Sequence, residues 1–504
     1  MVDQELRLGT SAGRWVLLTT VLGSSLALLD GTVVNVALAH IGEDLGAGFT
    51  GLQWTVNAYT LSLASLILLG GSLGDRYGRR RVFVIGVVWF ALASLACGLA
   101  PNIETLVAAR ALQGVGGALL TPGSLAIISA SFHGTDRAAA VGAWSGLGGI
   151  AGAIGPFLGG WLVEWTWRAV FLVNLPLAVV VVAVAVKHVP ESRDGAAARG
   201  LDLSGTALAV AGLAGLTWSL TELGAGAGSV AVWTALAVGI LALLVFVLVE
   251  RRSPHPLVPP VLFADRVFTA ANVVTLLVYA ALGALFLLLV LQLQIVAGYP
   301  PVLAGAGLLP VTLVMLLFSA RSGRLAQRIG PRIPMTVGPI LAACGLLLML
   351  RIGPDASWLT DVLPAVLVFA AGLTLTVAPL TATVLDAAPD RYAGAASGVN
   401  NAVARAAGLL AVAVIPGVAG IGNADYSDPV AFDAGFRTAL MIGAGLLVLG
   451  GLVSAVAIRS RLGTGAPPTE PEPVGPPLER IPLECCAHCG ITGPQVYPRD
   501  SAGS

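Results

Sequence analysis

Charge is scarce in this chain. Only 11% of its 504 residues are Asp, Glu, Lys or Arg, against roughly 25% in ordinary soluble proteins. That excludes an ordinary water-facing surface and suits a polytopic membrane protein, whose helix exteriors are solvated by lipid. Acidic and basic residues balance at 27 each, so no basic field for nucleic acid exists. Lysine is almost missing: Lys187 stands against 26 arginines. Cysteine is also sparse. Cys97 and Cys344 lie in apolar runs as small packing residues, and no disulfide framework is implied. The five histidines avoid the apolar runs: His40, His133, His188 and His255 sit at loops or ends, and His488 in the tail. Metal-centred catalysis within the membrane would therefore lack its usual imidazole ligands. A nucleotide loop is missing as well, because Gly146-Leu147-Gly148 has no preceding strand.

What is abundant is apolar and small. Hydrophobic residues make up 56% of the chain, mean hydropathy is +0.88, and there are 63 glycines. Small residues let membrane helices approach closely. A spanning helix needs about 20 mainly apolar residues. The sequence offers fourteen such runs: 15-38, 52-73, 82-100, 103-126, 138-163, 169-187, 203-222, 230-250, 267-296, 302-320, 333-350, 360-385, 399-420 and 436-458. The first run is 24 residues long and contains Asp30. It is too long for a cleaved leader, despite Ala37-Leu38-Ala39 at its end.

The bases alternate with the spans. With the N-terminus placed in the cytoplasm, 22 of the 27 bases fall on cytoplasmic segments and three, Arg168, Arg351 and Arg437, on the outer side. Arg110 and Arg405 lie within spans. The asymmetry predicts an even span count and two cytoplasmic termini in a cell membrane. Residues 459-504 are Pro-rich and read as a disordered cytoplasmic tail.

One connection is distinctive. Gly71-Ser72-Leu73-Gly74-Asp75-Arg76-Tyr77-Gly78-Arg79-Arg80-Arg81 packs four arginines, an aspartate and three glycines between two spans. It is echoed by Gly323-Arg324-Leu325-Ala326-Gln327-Arg328-Ile329-Gly330-Pro331-Arg332, with Gln327 in place of Asp75. The echo predicts two parallel halves, each a six-helix bundle, with two extra helices between them. The organisation read from this is a cytoplasmic N-terminus 1-14, a first bundle 15-187, a linker 188-266 with two spans, a second bundle 267-458 and the tail. Parallel repeats of this kind place a substrate cavity at the interface between halves.

These residues resemble the major facilitator superfamily, and more narrowly its fourteen-span drug:proton antiporters. Five stretches carry the resemblance: Leu29 to Leu38, the Gly71 to Arg81 turn, Arg110-Ala111-Leu112-Gln113-Gly114, Gly152 to Gly160, and Trp165 to Pro176. The resemblance implies an all-α integral membrane fold of two pseudo-symmetric bundles plus two central helices. It implies proton-coupled export of amphipathic, often cationic compounds, with the proton motive force in place of a cofactor. Small molecules, protons and the lipid bilayer are the expected partners, with the chain acting as a monomer. A narrow metabolite transporter is the alternative, and a metal-responsive protein using the tail is a third.

Individual residues then take expected roles. Asp30 lies 15 residues beyond Trp15, roughly 22 Å along a helix. An ionisable group at that depth marks a functional site, here proton binding. Arg110 lies at similar depth and is expected to face it as a charge pair; a purely structural salt bridge is the competing reading. Asp75, Arg76 and Arg79, with Gly71 and Gly78, are expected to gate, Asp75 meeting a helix N-terminus or a base. Gly152, Gly155, Pro156, Gly159 and Gly160 form a face without side chains, suited to close packing against the opposite half. Gln113, Glu222, Asn400 and Asn401 are cavity candidates, and Arg405 reads as an anchor near a helix end. Cys485, Cys486, His488 and Cys489 are a compact candidate metal cluster.

Overall fold

The computed structural model describes residues 7–193, 202–253, 256–389, 392–422 and 428–458. The Cys485–Cys489 cluster therefore lies outside the described residues. Thirteen helices are long and apolar enough to cross a membrane. In chain order they are α1 (Ser11–Leu45), α2 (Phe49–Tyr77), α3 (Arg79–Gly98), α4 (Ile103–Ser131), α6 (Ala169–His188), α7 (Leu203–Gly224), α8 (Val230–Arg252), α9 (Arg266–Val296), α10 (Pro301–Ile329), α11 (Arg332–Arg351), α12 (Trp358–Asp386), α13 (Gly394–Val418) and α14 (Pro429–Ala457). The remaining predicted span coincides with α5 (Gly134–Val163), a 30-residue helix. Among the described residues there is no strand.

Several helices outrun the apolar runs that announced them. Predicted span 52-73 lies within Phe49–Tyr77, and 15-38 within Ser11–Leu45. A helix continues through polar residues once its backbone ladder is nucleated, whereas hydropathy marks only the part suited to lipid. Ends follow local chemistry: Thr10 caps α1 through the Gly13 N–H, and Gly46 closes it in the left-handed region at φ 61°.

The two bundles repeat each other's packing. In the first, α1 packs on α5, α2 and α3 on α4, and α6 on α1 and α3. In the second, α9 packs on α13, α10 and α11 on α12, and α14 on α9 and α11. The halves meet along two seams, α5 against α10 and α2 against α13. The two extra helices break the symmetry. α7 lies against both α2 and α13, and α8 packs on α7. Val238, Leu241, Leu244 and Leu248 on α8 are exposed, an apolar face suited to lipid.

Glycine brings the α5–α10 seam together. A side chain on Gly160 would come within 2.6 Å of the Pro301 carbonyl, and one on Gly305 would collide with the Pro156 carbonyl. Gly155 and Gly159 serve the other side of α5, against Thr32 and Val33 of α1. Gly152 differs from the expectation, because open space lies where its side chain would be. The tight face thus begins at Gly155 and serves both halves.

Candidate functional site

Asp30 and Arg110 form a direct ion pair, each almost fully buried. The pair sits inside the first bundle. The Arg110 guanidinium bonds Asp30 Oδ2. It also donates to Gln113 Oε1 at 2.7 Å and, through Nε, to the Thr55 carbonyl at 3.0 Å. Asp30 Oδ1 accepts from Gln113 Nε2 at 2.7 Å and Asn174 Nδ2 at 3.1 Å. Ser94 Oγ accepts from the same two amides, at 2.6 and 3.3 Å. The guanidinium carbon stands 4.4 Å from the Tyr59 ring centre and 5.7 Å from that of Phe171, a favourable setting for a desolvated cation. Five helices, α1, α2, α3, α4 and α6, therefore contribute to one network, in which α4 and α6 bond the carboxylate directly and α2 and α3 hold its partners. The carboxylate accepts from the Arg110 guanidinium and from the Gln113 and Asn174 amides.

Gln113 belongs to this cluster and is absent from the cavity lining, contrary to expectation. It lies three residues beyond Arg110, which turns both toward the interior of the bundle. A side chain on Gly114, next to it, would collide with the Tyr59 carbonyl, so glycine lets α4 close onto α2. Asn174 and Ser94 were missed as site residues, although Asn174 falls in the last family-like stretch. Uncharged polar residues within a span attract little notice.

The central cavity lies between the halves and has a volume of about 470 Å³. It is lined from α1, α2, α9, α12 and α13, and includes the expected Asn400 and Asn401. Asn400 Nδ2 donates to Thr275 Oγ1 at 2.7 Å. Glu222 does not line it. That residue stands near the end of α7, outside both bundles, where Gly224, two residues on, meets Gly417. Arg405 does line the cavity, where anchoring at a helix end was expected. α13 faces the opposite half at this depth, so the side chain meets the cavity before it meets lipid.

The cavity is shut at the Asp44 end of the bundles. Two hydrogen bonds cross between halves there, Gln53 Nε2 to the Val412 carbonyl at 2.8 Å and Gln294 Nε2 to the Val36 carbonyl at 3.0 Å. Asp44 itself ties the end of α1 to the segment leading into α6, accepting from Trp167 Nε1 and from Arg168, each at 2.8 Å.

The arginine-rich turn lies at the other end. Gly78 has φ 113° and Gly330 has φ 83°, so both echoed turns use a backbone shape that disfavours side chains. Asp75 pairs with Arg79 one turn away at 2.7 Å. Of the two partners expected for Asp75, a helix N-terminus or a base, this conformation shows the base; the N-terminus of α3 is met by Glu191, which accepts from the Arg80 and Arg81 N–H groups at 3.1 and 3.2 Å. Arg76 is exposed, 5.3 Å from the Tyr77 ring centre. The echo also extends to contacts that hydropathy did not reveal. Arg80 donates to the Val189 carbonyl just after α6, and its counterpart Arg332 to the Ala455 carbonyl at the end of α14, at 3.0 and 2.8 Å.

A profile of the Major Facilitator Superfamily matches residues 20–412. The chain belongs to that superfamily. Its curated relatives include a puromycin resistance protein of Streptomyces alboniger, 37% identical over 90% of this chain and 93% of the relative. A multidrug resistance protein of Mycobacterium tuberculosis is 37% identical over 80% of this chain and 75% of its own length. A cephamycin export protein of Amycolatopsis lactamdurans is 38% identical, covering 82% and 86%. The fold is similar to that of an inward-facing bacterial homologue of the human lysosomal transporter Spinster. The TM-score is 0.62 at 16% identity, over 89% of this chain and 97% of the other. This major facilitator protein is a multi-pass membrane transporter.

Proposed function

We propose that the protein exports amphipathic organic compounds, antibiotics among them, in exchange for protons. The observation that carries the proton half is the Asp30–Arg110 pair, buried with two amide donors on its carboxylate. The names of the relatives, resistance and export proteins for puromycin, cephamycin and several drugs, support the substrate half.

The geometry supplies a mechanism. With the arginine-rich turns facing the cytoplasm, as the charge asymmetry directs, the cavity is closed toward the outside. Asp30 is held as an anion by Arg110, Gln113 and Asn174, the state reached after its proton has left. Substrate enters the central cavity in this state. Asp30 shares α1 with the cavity residues Leu28 and Asn35, and Arg110 bonds the carbonyl of Thr55, two residues before the cavity residue Asn57. Separation of the Gln53–Val412 and Gln294–Val36 contacts opens the outer side. A proton arriving there neutralises Asp30, frees Arg110 from its counter-charge and favours return. The halves rock about the α5–α10 and α2–α13 seams.

The test is a panel of substrates in everted vesicles, with and without an imposed pH gradient, comparing native protein with Asp30→Asn. Gradient-driven uptake by the native protein alone is the expected result. Equal gradient-driven uptake by the variant contradicts the assignment of Asp30.

A further inference from the structure

The cavity carries an uncompensated positive charge. Arg405 is the one formally charged residue among those lining it. Among the described residues it takes part in no ion pair, whereas the buried Arg110 is matched by Asp30. It lies within electrostatic reach of Tyr59 on α2 and Tyr279 on α9, which places its charge between the halves. Two amides accompany it. Asn57 is fully buried, and both its Oδ1 and Nδ2 lack a partner. Asn35 Oδ1 lacks one too. Both residues line the same cavity. Buried amide groups without partners are costly and call for a ligand or water.

We infer that this cavity selects amphipathic organic acids, with Arg405 pairing a substrate carboxylate or phenolate and Asn57 bonding an adjacent carbonyl or hydroxyl. A guanidinium presents a planar fork that matches two carboxylate oxygens. An organic cation would meet a like charge at low dielectric with no acid in the lining to offset it. The inference rests on the export reading and narrows it, since cationic substrates were the expectation from family resemblance.

Two dyes on one xanthene scaffold test it: anionic fluorescein and a cationic rhodamine ester. Binding to purified protein in nanodiscs is followed by fluorescence polarisation. The native protein is expected to bind fluorescein about tenfold or more tightly than the ester. Arg405→Gln is expected to lose about tenfold or more in fluorescein affinity and none for the ester, and Arg405→Lys to restore most of the loss. Melting temperatures of both variants confirm that they are folded. Preference for the ester, binding of neither dye, or an equal loss of both in Arg405→Gln overturns the proposal. Vesicle uptake of the same dyes under a pH gradient separates the two readings. Arg405-dependent binding without uptake of either dye keeps the acid site and removes export. Gradient-driven uptake of the ester alone keeps export and removes the acid site.

Discussion

Asp30 and Arg110 were legible because ionisable residues inside apolar runs are conspicuous and their depths agree. Of their partners Gln113 was named beside Arg110, but Asn174 and Ser94 were not, because an Asn or Ser within a span costs little and serves many structural ends. Glu191 was missed for another reason: it bonds backbone N–H groups, which no side-chain pattern announces. These contacts set unequal consequences for substitution. Removing one member of a buried pair leaves an uncompensated charge, worth about 3–5 kcal/mol. Arg110→Ala should therefore lower the melting temperature strongly in detergent. The double variant Asp30→Asn/Arg110→Gln should recover most of that stability, because it buries no charge at this position. Recovery of stability without coupled transport would separate the structural role of the pair from the functional one. Glu191→Gln keeps the shape but weakens the charge at the α3 N-terminus. A loss of about 1 kcal/mol is expected, read as a small fall in melting temperature, and no change would show that the contact carries little.

At the scale of the element, thirteen of the fourteen predicted spans are helices long and apolar enough to cross a membrane, and they were readable because lipid imposes a length and an apolar composition on each. Their ends were less so, since helices extend into water without an apolar signature. The glycine face of α5 was visible, but its partners were not. Gly155 and Gly159 face their own half while Gly160 faces the other, a division that depends on the helix rotation in the assembled bundle. Gly160→Val tests the seam. A side chain there meets the Pro301 carbonyl at 2.6 Å, so the closed arrangement at the Asp44 end is obstructed. Turnover should fall by about tenfold or more while substrate binding persists, as for other blocked closures. Normal turnover in that variant would show that the seam tolerates separation during the cycle.

For the whole molecule, the sequence repeat announced two halves, and the structure shows how far the likeness reaches. Arg80 and Arg332 play the same part in each half, yet Gln327 replaces Asp75 and α7–α8 cover one seam alone. The cavity's charge was not legible, because Arg405 lies near enough to a helix end to pass for an anchor. If the exported species is an acid, its exit and the entry of a proton both run down an inside-negative potential. Each charge moved is worth about 2.3 kcal/mol at 100 mV. The tail beyond residue 461 is expected to be dispensable for this. Deleting residues 462-504 should leave vesicle transport and its response to added Zn²⁺ unchanged, and a lost metal response would instead give the Cys485–Cys489 cluster a role.

The central claim is that Asp30, held by Arg110, is where proton movement joins substrate movement. Substrate-induced proton flux tests it most directly, read with a pH-sensitive dye in acid-loaded everted vesicles. Native protein should release protons when substrate is added. The folded Asp30→Asn/Arg110→Gln variant, still binding substrate and present at equal amount, should release none. Equal proton release by that variant would contradict the account.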